Sequence, residues 1–180
     1  MENTFVLGIN FKSAGIDIRS AFSISPEKQM ACYERAKAYG YSDFVVLSTC
    51  NRTEIYGKGP LEGAEAIITE VCNQEVDLFD TYKFVKTGQD AVTHIFQVAS
   101  GLDSQILGDY EILGQFKNAC KLSKECDLLG SVFERMSQIC IQASKEIKTR
   151  TDLSKGTVSA SYATIEILKE KIGEDRKSVV

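Results

Sequence analysis

Two β-rich apolar runs, separated by a four-residue polar turn, are the feature that most constrains the fold of this chain. Residues 44–48 form an apolar run typical of a buried strand, and residues 53–58 form a second, more amphipathic one. Only residues 49–52 lie between them, which is a common length for a hairpin connection. We therefore predict a β-hairpin whose turn carries a cysteine, an asparagine and an arginine.

The segments around this hairpin predict strands and helices in alternation. Residues 4–9 are typical of a buried strand, and a Ser-Pro pair at 25–26 predicts the start of a helix that runs to about Gly40. Residues 61–73 predict an acid-fronted helix, and residues 82–86 a last strand. The order β-α-β-β-α-β is that of the split-βαβ, ferredoxin-like arrangement, so we expect an α+β fold.

The second half of the chain predicts helices. Apolar residues keep helical spacing over 92–102 and again over 112–120. Ser131 and Glu134 have the spacing of a capping box at the start of a long helix. The apolar face predicted for that helix consists of Val132, Met136, Ile139, Cys140, Ala143 and Ile147. A final amphipathic helix is predicted over 157–172.

Length and composition indicate a soluble globular protein. The chain has 180 residues, 43% hydrophobic and 26% charged, which are ordinary values for such a protein. Its net charge of −4 argues against a generally basic nucleic-acid-binding surface. We expect a main unit over 1–150, divided into 1–88 and 89–150, followed by a linker helix and the beginning of another domain over 151–180.

Six cysteines are present, and the absence of a signal-peptide pattern favours free thiols in a cytoplasmic protein. No Cys-x-x-Cys pair occurs and there is one histidine, so we predict no metal site. Four of the cysteines fall in predicted helices: Cys32, Cys72, Cys120 and Cys140. Cys50 does not, because it lies in the predicted hairpin turn.

Residues 48–54, with the sequence Ser-Thr-Cys-Asn-Arg-Thr-Glu, form the densest polar cluster of the chain. Cys50 is a candidate nucleophile there, since Arg52 or nearby backbone N–H groups would favour the thiolate. The alternative is a polar hairpin turn with a buried cysteine. His94 is a candidate general acid or base, although a histidine on a helix is more often structural.

A break with small and polar residues separates two of the predicted helices. It brings Ser104, Asp109 and Glu111 near a helix N-terminus, where a polar ligand could bind. The alternative interpretation is an interhelical loop with an aspartate as the N-cap.

Taken together, these segments resemble the catalytic domain of the glutamyl-tRNA reductases. The resemblance covers nearly all of the chain, in the order of the family. The segments that carry it are Gly-Ile-Asn at 8–10, the cysteine block at 48–54, Val-Ala-Ser-Gly-Leu-Asp-Ser at 98–104, Ile-Leu-Gly at 106–108, Ile-Leu-Gly-Gln at 112–115 and Glu-Arg-Met at 134–136.

The resemblance implies a thioester mechanism. Cys50 would attack the ester that joins glutamate to the 3′ end of its tRNA, giving a glutamyl thioester and free tRNA. NADPH would then reduce the thioester to glutamate-1-semialdehyde, a precursor of tetrapyrroles such as haem. His94 matches a histidine critical for activity in the family. The implied partners are glutamyl-tRNA and the aminomutase that acts next.

The resemblance also implies residues that hold the substrate. Thr49, Asn51 and Arg52 would hold the glutamyl group, with Arg52 as the bidentate partner of its carboxylate. Ser104 and Gln115 match further binding positions. The loop residues Asp109, Tyr110 and Glu111 stand where the family usually has Glu-Pro-Gln. Similarly, Phe-Lys-Ser at 11–13 replaces the usual His-Lys-Thr.

The NADPH domain of the family begins with a strand that leads into a glycine-rich turn. No Gly-x-Gly-x-x-Gly occurs in this chain, so we expect it to bind no cofactor and to lack hydride transfer. Thioester formation followed by hydrolysis would remain as an esterase reaction. We expect a monomer, since the family dimerises through a C-terminal region. The alternative function is a non-catalytic ferredoxin-like binding module.

Overall fold

The computed structural model describes residues 3–109 and 111–151, which form a four-stranded sheet with helices on both faces. The strands are β1 (Thr4–Asn10), β2 (Asp43–Ser48), β3 (Arg52–Lys58) and β4 (Phe84–Thr87). The helices are α1 (Ile16–Ala21), α2 (Pro26–Ala38), α3 (Leu61–Cys72), α4 (Val76–Tyr82), α5 (Gly88–Ala99), α6 (Glu111–Glu125) and α7 (Ser131–Arg150).

The sheet has the strand order β2-β3-β1-β4, and all neighbouring strands are antiparallel. The predicted hairpin of β2 and β3 is confirmed, with Ser48 paired to Thr53 at the turn. The main elements follow one another as β-α-β-β-α-β, so the ferredoxin-like α+β prediction is confirmed. On β1, Gly8 lies opposite Glu54 of β3, and Asn10 lies opposite Arg52.

Each face of the sheet packs against its own set of helices, because side chains alternate between the two sides of a strand. Phe5, Leu7 and Ile9 of β1 belong to the apolar core that contains residues of α2 and α3. Val6, between them, belongs to a second core with Tyr56 and the residues of α5, α6 and α7. The second face is therefore the one on which Gly8, Asn10 and Glu54 lie.

Local sequence signals set the limits of α2, as predicted. The Ser25 side chain accepts a hydrogen bond from the backbone N–H of Lys28 at 3.3 Å, and Pro26 is the first helical residue. After the helix ends at Ala38, Gly40 has φ +78°, in the left-handed region that favours glycine. The helix thus ends two residues before Gly40.

The apolar face predicted for α7 was only partly right. Cys140 is buried as predicted and Met136 packs against the second core, but Val132 and Ile139 are 71% and 48% exposed. The residues that the helix buries are Phe133, Ser137, Cys140 and Ser144. The buried face is rotated by about 100°, the step of one residue. The capping box was wrong, because Gly130 is the N-cap and no side chain caps the helix. Packing against α5 and α6 selects the buried face.

The two shortest of the described helices, α1 and α4, were not predicted from the sequence. The helix α1 has six residues and buries none of them, while α4 has seven and buries Phe79. Such lengths hold too few turns to show a 3.6-residue period. Because α4 continues to Tyr82, the last strand begins at Phe84 rather than at Tyr82. Leu102 lies beyond the end of α5 and is exposed.

Within residues 3–109 and 111–151, none of the helices has both the length and the apolar character needed to cross a membrane. The helix predicted over 157–172 lies outside the described residues. The strand-like segment at 177–180 and Tyr110, a predicted substrate contact, also lie outside them.

The close approach of β1 to β3 at Gly8 predicts a large difference between two glycine-to-alanine substitutions. A Cβ at Gly8 would lie 2.2 Å from the Thr53 carbonyl oxygen, so Gly8→Ala should destabilise the fold by about 3 kcal/mol. Gly114 of α6 has nothing within 4 Å of its added Cβ, so Gly114→Ala should stabilise the fold by about 0.5–1 kcal/mol. Urea unfolding monitored by circular dichroism measures both, and equal effects would contradict the packing at Gly8.

Candidate active site

The turn between β2 and β3 is held by its own backbone and by the end of β1. The Thr49 N–H donates to the Arg52 carbonyl at 2.8 Å, and the Thr49 hydroxyl accepts from the Asn51 N–H at 3.2 Å. The Asn51 carbonyl in turn accepts from the Phe11 N–H at 2.9 Å. These contacts present Cys50 from a rigid strand pair rather than from a mobile loop.

Cys50 differs from the other five cysteines because it is exposed. Burial raises the pKa of Cys32, Cys120 and Cys140 to about 12 and that of Cys72 to about 11. Burial likewise raises the pKa of Cys126. The thiolate is the reactive form of cysteine, so burial both covers these five thiols and disfavours their reactive form. The exposure of Cys50 rules out the alternative of a buried cysteine in the turn, while its role as a nucleophile stays a prediction.

Arg19 of α1 contacts the Cys50 turn, and the sequence analysis did not predict this contact. Its Nε donates to the Cys50 carbonyl at 3.3 Å, and its Nη1 donates to the Ala14 carbonyl at 2.7 Å. The guanidinium therefore connects α1 to the turn and brings a positive charge to the residue that carries the thiol. No local pattern could reveal this contact, since the two residues are 31 positions apart.

Arg52 lies at the base of the turn and is 1% exposed. Its Nη1 donates to Glu54 Oε1 at 2.8 Å and to Asp103 Oδ2 at 3.2 Å, while its Nη2 donates to the Asp103 carbonyl. Both terminal nitrogens are thus engaged within the protein. A ligand carboxylate would have to compete with Glu54 or Asp103 for this guanidinium, so its predicted role in binding the substrate stays a prediction.

Glu54 is 0% exposed and connects Arg52 to His94. Its Oε2 lies 3.0 Å from His94 Nε2 and accepts from the Tyr56 hydroxyl at 2.8 Å. The His94 side chain is buried, on the α5 face that packs against the sheet. The sequence left the direction of His94 open, and the Glu54 carboxylate supplies the polar partner that makes its burial possible.

The charges of this cluster stabilise one another. Burial opposes the ionisation of Glu54, but the hydrogen bond from His94 and the charge of Arg52 outweigh it and lower the pKa of Glu54. Burial also opposes the ionisation of Asp103, while Lys12 and Arg52 lower its pKa overall. Burial raises the pKa of Tyr56 well above 10, so its hydroxyl stays a donor. Both carboxylates are ionised at neutral pH.

A cavity of about 300 Å³ opens beside this cluster. Its walls carry two lysines, one carboxylate and the imidazole of His94. The polar and aromatic residues that line it include Asn10, Lys12, Phe84, Lys86, His94 and Asp103. Lys12 also forms an ion pair with Asp103. Cations and an anion on one small cavity suit a ligand that carries both charges, such as an amino acid.

A larger groove of about 800 Å³ lies elsewhere, along α7. The residues that line it include Val92, Phe96, Val132, Met136 and Ile139, and most of its surface is apolar. Cys50 lines neither this groove nor the smaller cavity. The smaller cavity is the better candidate site, because His94, Lys12 and Asp103 line it.

The structure joins some of the predicted site residues and leaves others apart. Contacts through Glu54 and Asp103 bring the cysteine turn together with His94 and with the loop that carries Ser104. In contrast, no hydrogen bond or ion pair among the described residues connects Glu111 or Gln115 to that turn. Asp109 accepts from the Glu111 N–H at 2.9 Å, at the start of α6. This contact favours the capping interpretation of Asp109.

No group of three or more histidine, cysteine or acidic side chains in residues 3–109 and 111–151 is arranged to hold a metal ion. Among the described residues, the polar network instead consists of side chains that bind one another.

Comparison with known proteins identifies relatives along nearly the whole chain. A family model described as "Glutamyl-tRNAGlu reductase, N-terminal domain" matches residues 7–151. A glutamyl-tRNA reductase from Flavobacterium psychrophilum is 42% identical over 174 residues, which are 95% of this chain and 42% of the relative. One from Aquifex aeolicus is 36% identical over 183 residues, or 100% of this chain and 45% of the relative. The chain thus spans less than half the length of these relatives.

A solved structure agrees with the sequence comparisons. The glutamyl-tRNA reductase from Methanopyrus kandleri superposes with a TM-score of 0.76 at 30% sequence identity. The match covers 94% of this chain and 40% of the other.

The depressed pKa values of Glu54 and Asp103 predict acid instability. A carboxyl whose pKa is lower in the folded state stabilises the fold above its unfolded value, near 4, and loses that contribution as the pH falls through the folded value. Asp103→Asn should reduce the slope of unfolding free energy against pH by as much as about 1.4 kcal/mol per pH unit below about pH 4. Urea unfolding at several pH values measures the slope, and an unchanged slope would contradict the ion pairs.

The exposure of a single thiol predicts selective alkylation. Native protein treated with iodoacetamide at pH 8 should acquire one adduct, on Cys50, whereas denatured protein should acquire six. Mass spectrometry of the intact chain and of its peptides counts and places the adducts. Cys50→Ser is the matched control and should acquire none when native. Rapid native modification of a second cysteine would contradict the burial.

Proposed function

This chain belongs to the glutamyl-tRNA reductase family, and from that premise we propose that Cys50 is the nucleophile that takes the glutamyl group from glutamyl-tRNA. The observation that carries the proposal is the exposure of this one thiol among six, on a turn braced by Arg19 and Arg52. The proposed substrate is taken from the name of the relatives, glutamyl-tRNA reductase. The substrate and the reaction are proposals for this chain, since it spans less than half of those relatives.

The proposed step transfers an acyl group. Cys50 Sγ attacks the carbonyl carbon of the ester, a C–S bond forms, and the C–O bond to the terminal ribose breaks. The ribose oxygen leaves with a proton, so the products are a glutamyl thioester and tRNA with a free hydroxyl. We assign the proton transfer to His94, which lines the cavity: its Nδ1 would take the proton from the Cys50 thiol and return it to the leaving ribose oxygen.

The cavity beside the cluster is the proposed site for the glutamyl group. Lys12 and Lys86 would attract its side-chain carboxylate, and Asp103 would attract its amino group. Thr49, Asn51, Arg52, Ser104 and Gln115 remain proposed contacts, as do the loop residues Asp109, Tyr110 and Glu111. Of these, Arg52 would contact the glutamyl group only in competition with Glu54 and Asp103, which engage its terminal nitrogens.

In the complete reaction, NADPH would reduce the thioester to glutamate-1-semialdehyde for tetrapyrrole synthesis. The described residues do not fit that cofactor. The sequence has no Gly-x-Gly-x-x-Gly, and the sheet is antiparallel, whereas dinucleotides bind to parallel βαβ units. The proposed role of these residues therefore ends at the thioester and at its hydrolysis by water.

Deacylation of glutamyl-tRNA tests the proposal. The chain should release tRNA faster than buffer does and should carry a glutamyl adduct on Cys50 when quenched in acid. Cys50→Ser should lower the rate by at least about a hundredfold, because a hydroxyl is far less ionised than a thiol at neutral pH. Acid-gel analysis of the tRNA measures the rate, and mass spectrometry detects the adduct.

Cys126→Ser is the matched control, since it removes a buried thiol from the segment that follows α6 and should deacylate like the wild type. Equal deacylation by wild type and Cys50→Ser would refute the nucleophile. It would favour the alternative of a non-catalytic ferredoxin-like module.

A further inference from the structure

We propose that Glu54 is a positioning residue: its buried carboxylate sets the orientation and tautomer of His94 while it braces Arg52 beneath the cysteine turn. The inference rests on the proposed function for its catalytic consequence. Its effect on the imidazole, however, can be measured without glutamyl-tRNA.

Four hydrogen-bond donors surround the Glu54 carboxylate. Arg52 Nη1 lies 2.8 Å from Oε1, and Asn10 Nδ2 lies 3.5 Å from the same oxygen. On the other oxygen, Oε2, the Tyr56 hydroxyl is at 2.8 Å and His94 Nε2 at 3.0 Å. One buried side chain therefore receives contacts from two strands and one helix.

An ionised carboxylate can only accept hydrogen bonds. Each of these contacts must therefore take its hydrogen from the partner, so His94 carries a hydrogen on Nε2. In the neutral imidazole the other nitrogen, Nδ1, is then the one with the free lone pair. Glu54 thus decides which nitrogen of His94 can accept a proton in the cavity.

The sheet leaves room for this carboxylate. Gly8 lies opposite Glu54 in the register, and a Cβ there would come within 2.8 Å of the Glu54 Cα and 3.0 Å of its Cγ. The glycine of the Gly-Ile-Asn segment therefore allows β1 to approach β3 at the position where the carboxylate is held.

Glu54 acts through its neighbours rather than on a ligand. It is 0% exposed and does not line the cavity, whereas His94 does. An isolated buried charge is costly, and apolar side chains can often replace a buried ion pair without loss of stability. A carboxylate at this place is therefore better explained by what it does to Arg52 and His94 than by stability.

Replacement of Glu54 by glutamine gives a sharp expectation. Arg52 has no acceptor atom, so the glutamine oxygen must stay next to Arg52, and the NH₂ group must occupy the place of Oε2. That NH₂ group would face His94 Nε2, which can then only accept. Glu54→Gln should therefore switch the neutral ring from the Nε2–H to the Nδ1–H tautomer.

Because His94 is the only histidine of the chain, ¹⁵N long-range NMR of the imidazole at pH 8.5 reads its tautomer directly. The wild type should show Nε2–H, and Glu54→Gln should show Nδ1–H. Tyr56→Phe is the matched control, since it removes another donor to the same oxygen but keeps the carboxylate. It should keep Nε2–H, with a Tm lower by roughly 2–4 °C.

The proposal would be overturned by Nδ1–H in the wild type or by an unchanged tautomer in folded Glu54→Gln. If Glu54→Gln does not fold, Glu54→Asp replaces it and should keep Nε2–H, because an aspartate carboxylate still only accepts. In either case, an Nδ1–H tautomer in the wild-type spectrum would overturn the proposal.

The catalytic consequence is tested in the deacylation assay. Glu54→Gln should lower kcat at least about tenfold with KM changed less than about threefold, and Glu54→Asp should recover part of the loss. Adding His94→Asn to Glu54→Gln should lower kcat by less than about a further twofold, since both substitutions act through one imidazole. Additive losses would overturn the positioning role. If the wild type does not deacylate, the proposed function fails, and the NMR result still decides the role of Glu54.

Discussion

A buried anion is the constraint on which the rest of this structure depends. The Glu54 carboxylate is removed from water, so its charge must be met by donors from the protein. Arg52 and Tyr56 come from the same strand, Asn10 from the neighbouring strand and His94 from α5. The contacts join the sheet to the helices on its second face. Loss of any one donor would leave part of the buried Glu54 carboxylate without a hydrogen-bond partner.

Arg52 extends this constraint to the reactive turn. Its guanidinium binds Glu54 on one side and Asp103 on the other, so the base of the turn and the loop after α5 hold each other in place. Cys50 is two residues away from Arg52 and is exposed. If Cys50 is the nucleophile, as proposed, it needs a rigid base to meet a substrate at a defined angle, and the charge cluster supplies that base.

The strength of local signals decided which elements could be predicted. The β2–β3 hairpin has two apolar runs and a four-residue turn, and α2 has a serine cap and a proline at its first position, so neighbours in sequence settle both. The helices α1 and α4 are too short for a periodic pattern. The face that α7 buries includes Ser137 and Ser144 as well as Phe133 and Cys140, so apolar spacing alone could not identify it, and contacts with distant helices select it.

The candidate site shows the same division. The sequence by itself determined the ferredoxin-like order of elements and singled out Cys50 and His94, because turn chemistry and residue type are local properties. Only the tertiary structure decided that Arg52 is engaged by Glu54 and Asp103, that Arg19 reaches the Cys50 turn and that His94 is buried against Glu54. These contacts join residues as many as 51 positions apart, and only the packing of helices against the sheet brings such residues within hydrogen-bonding distance.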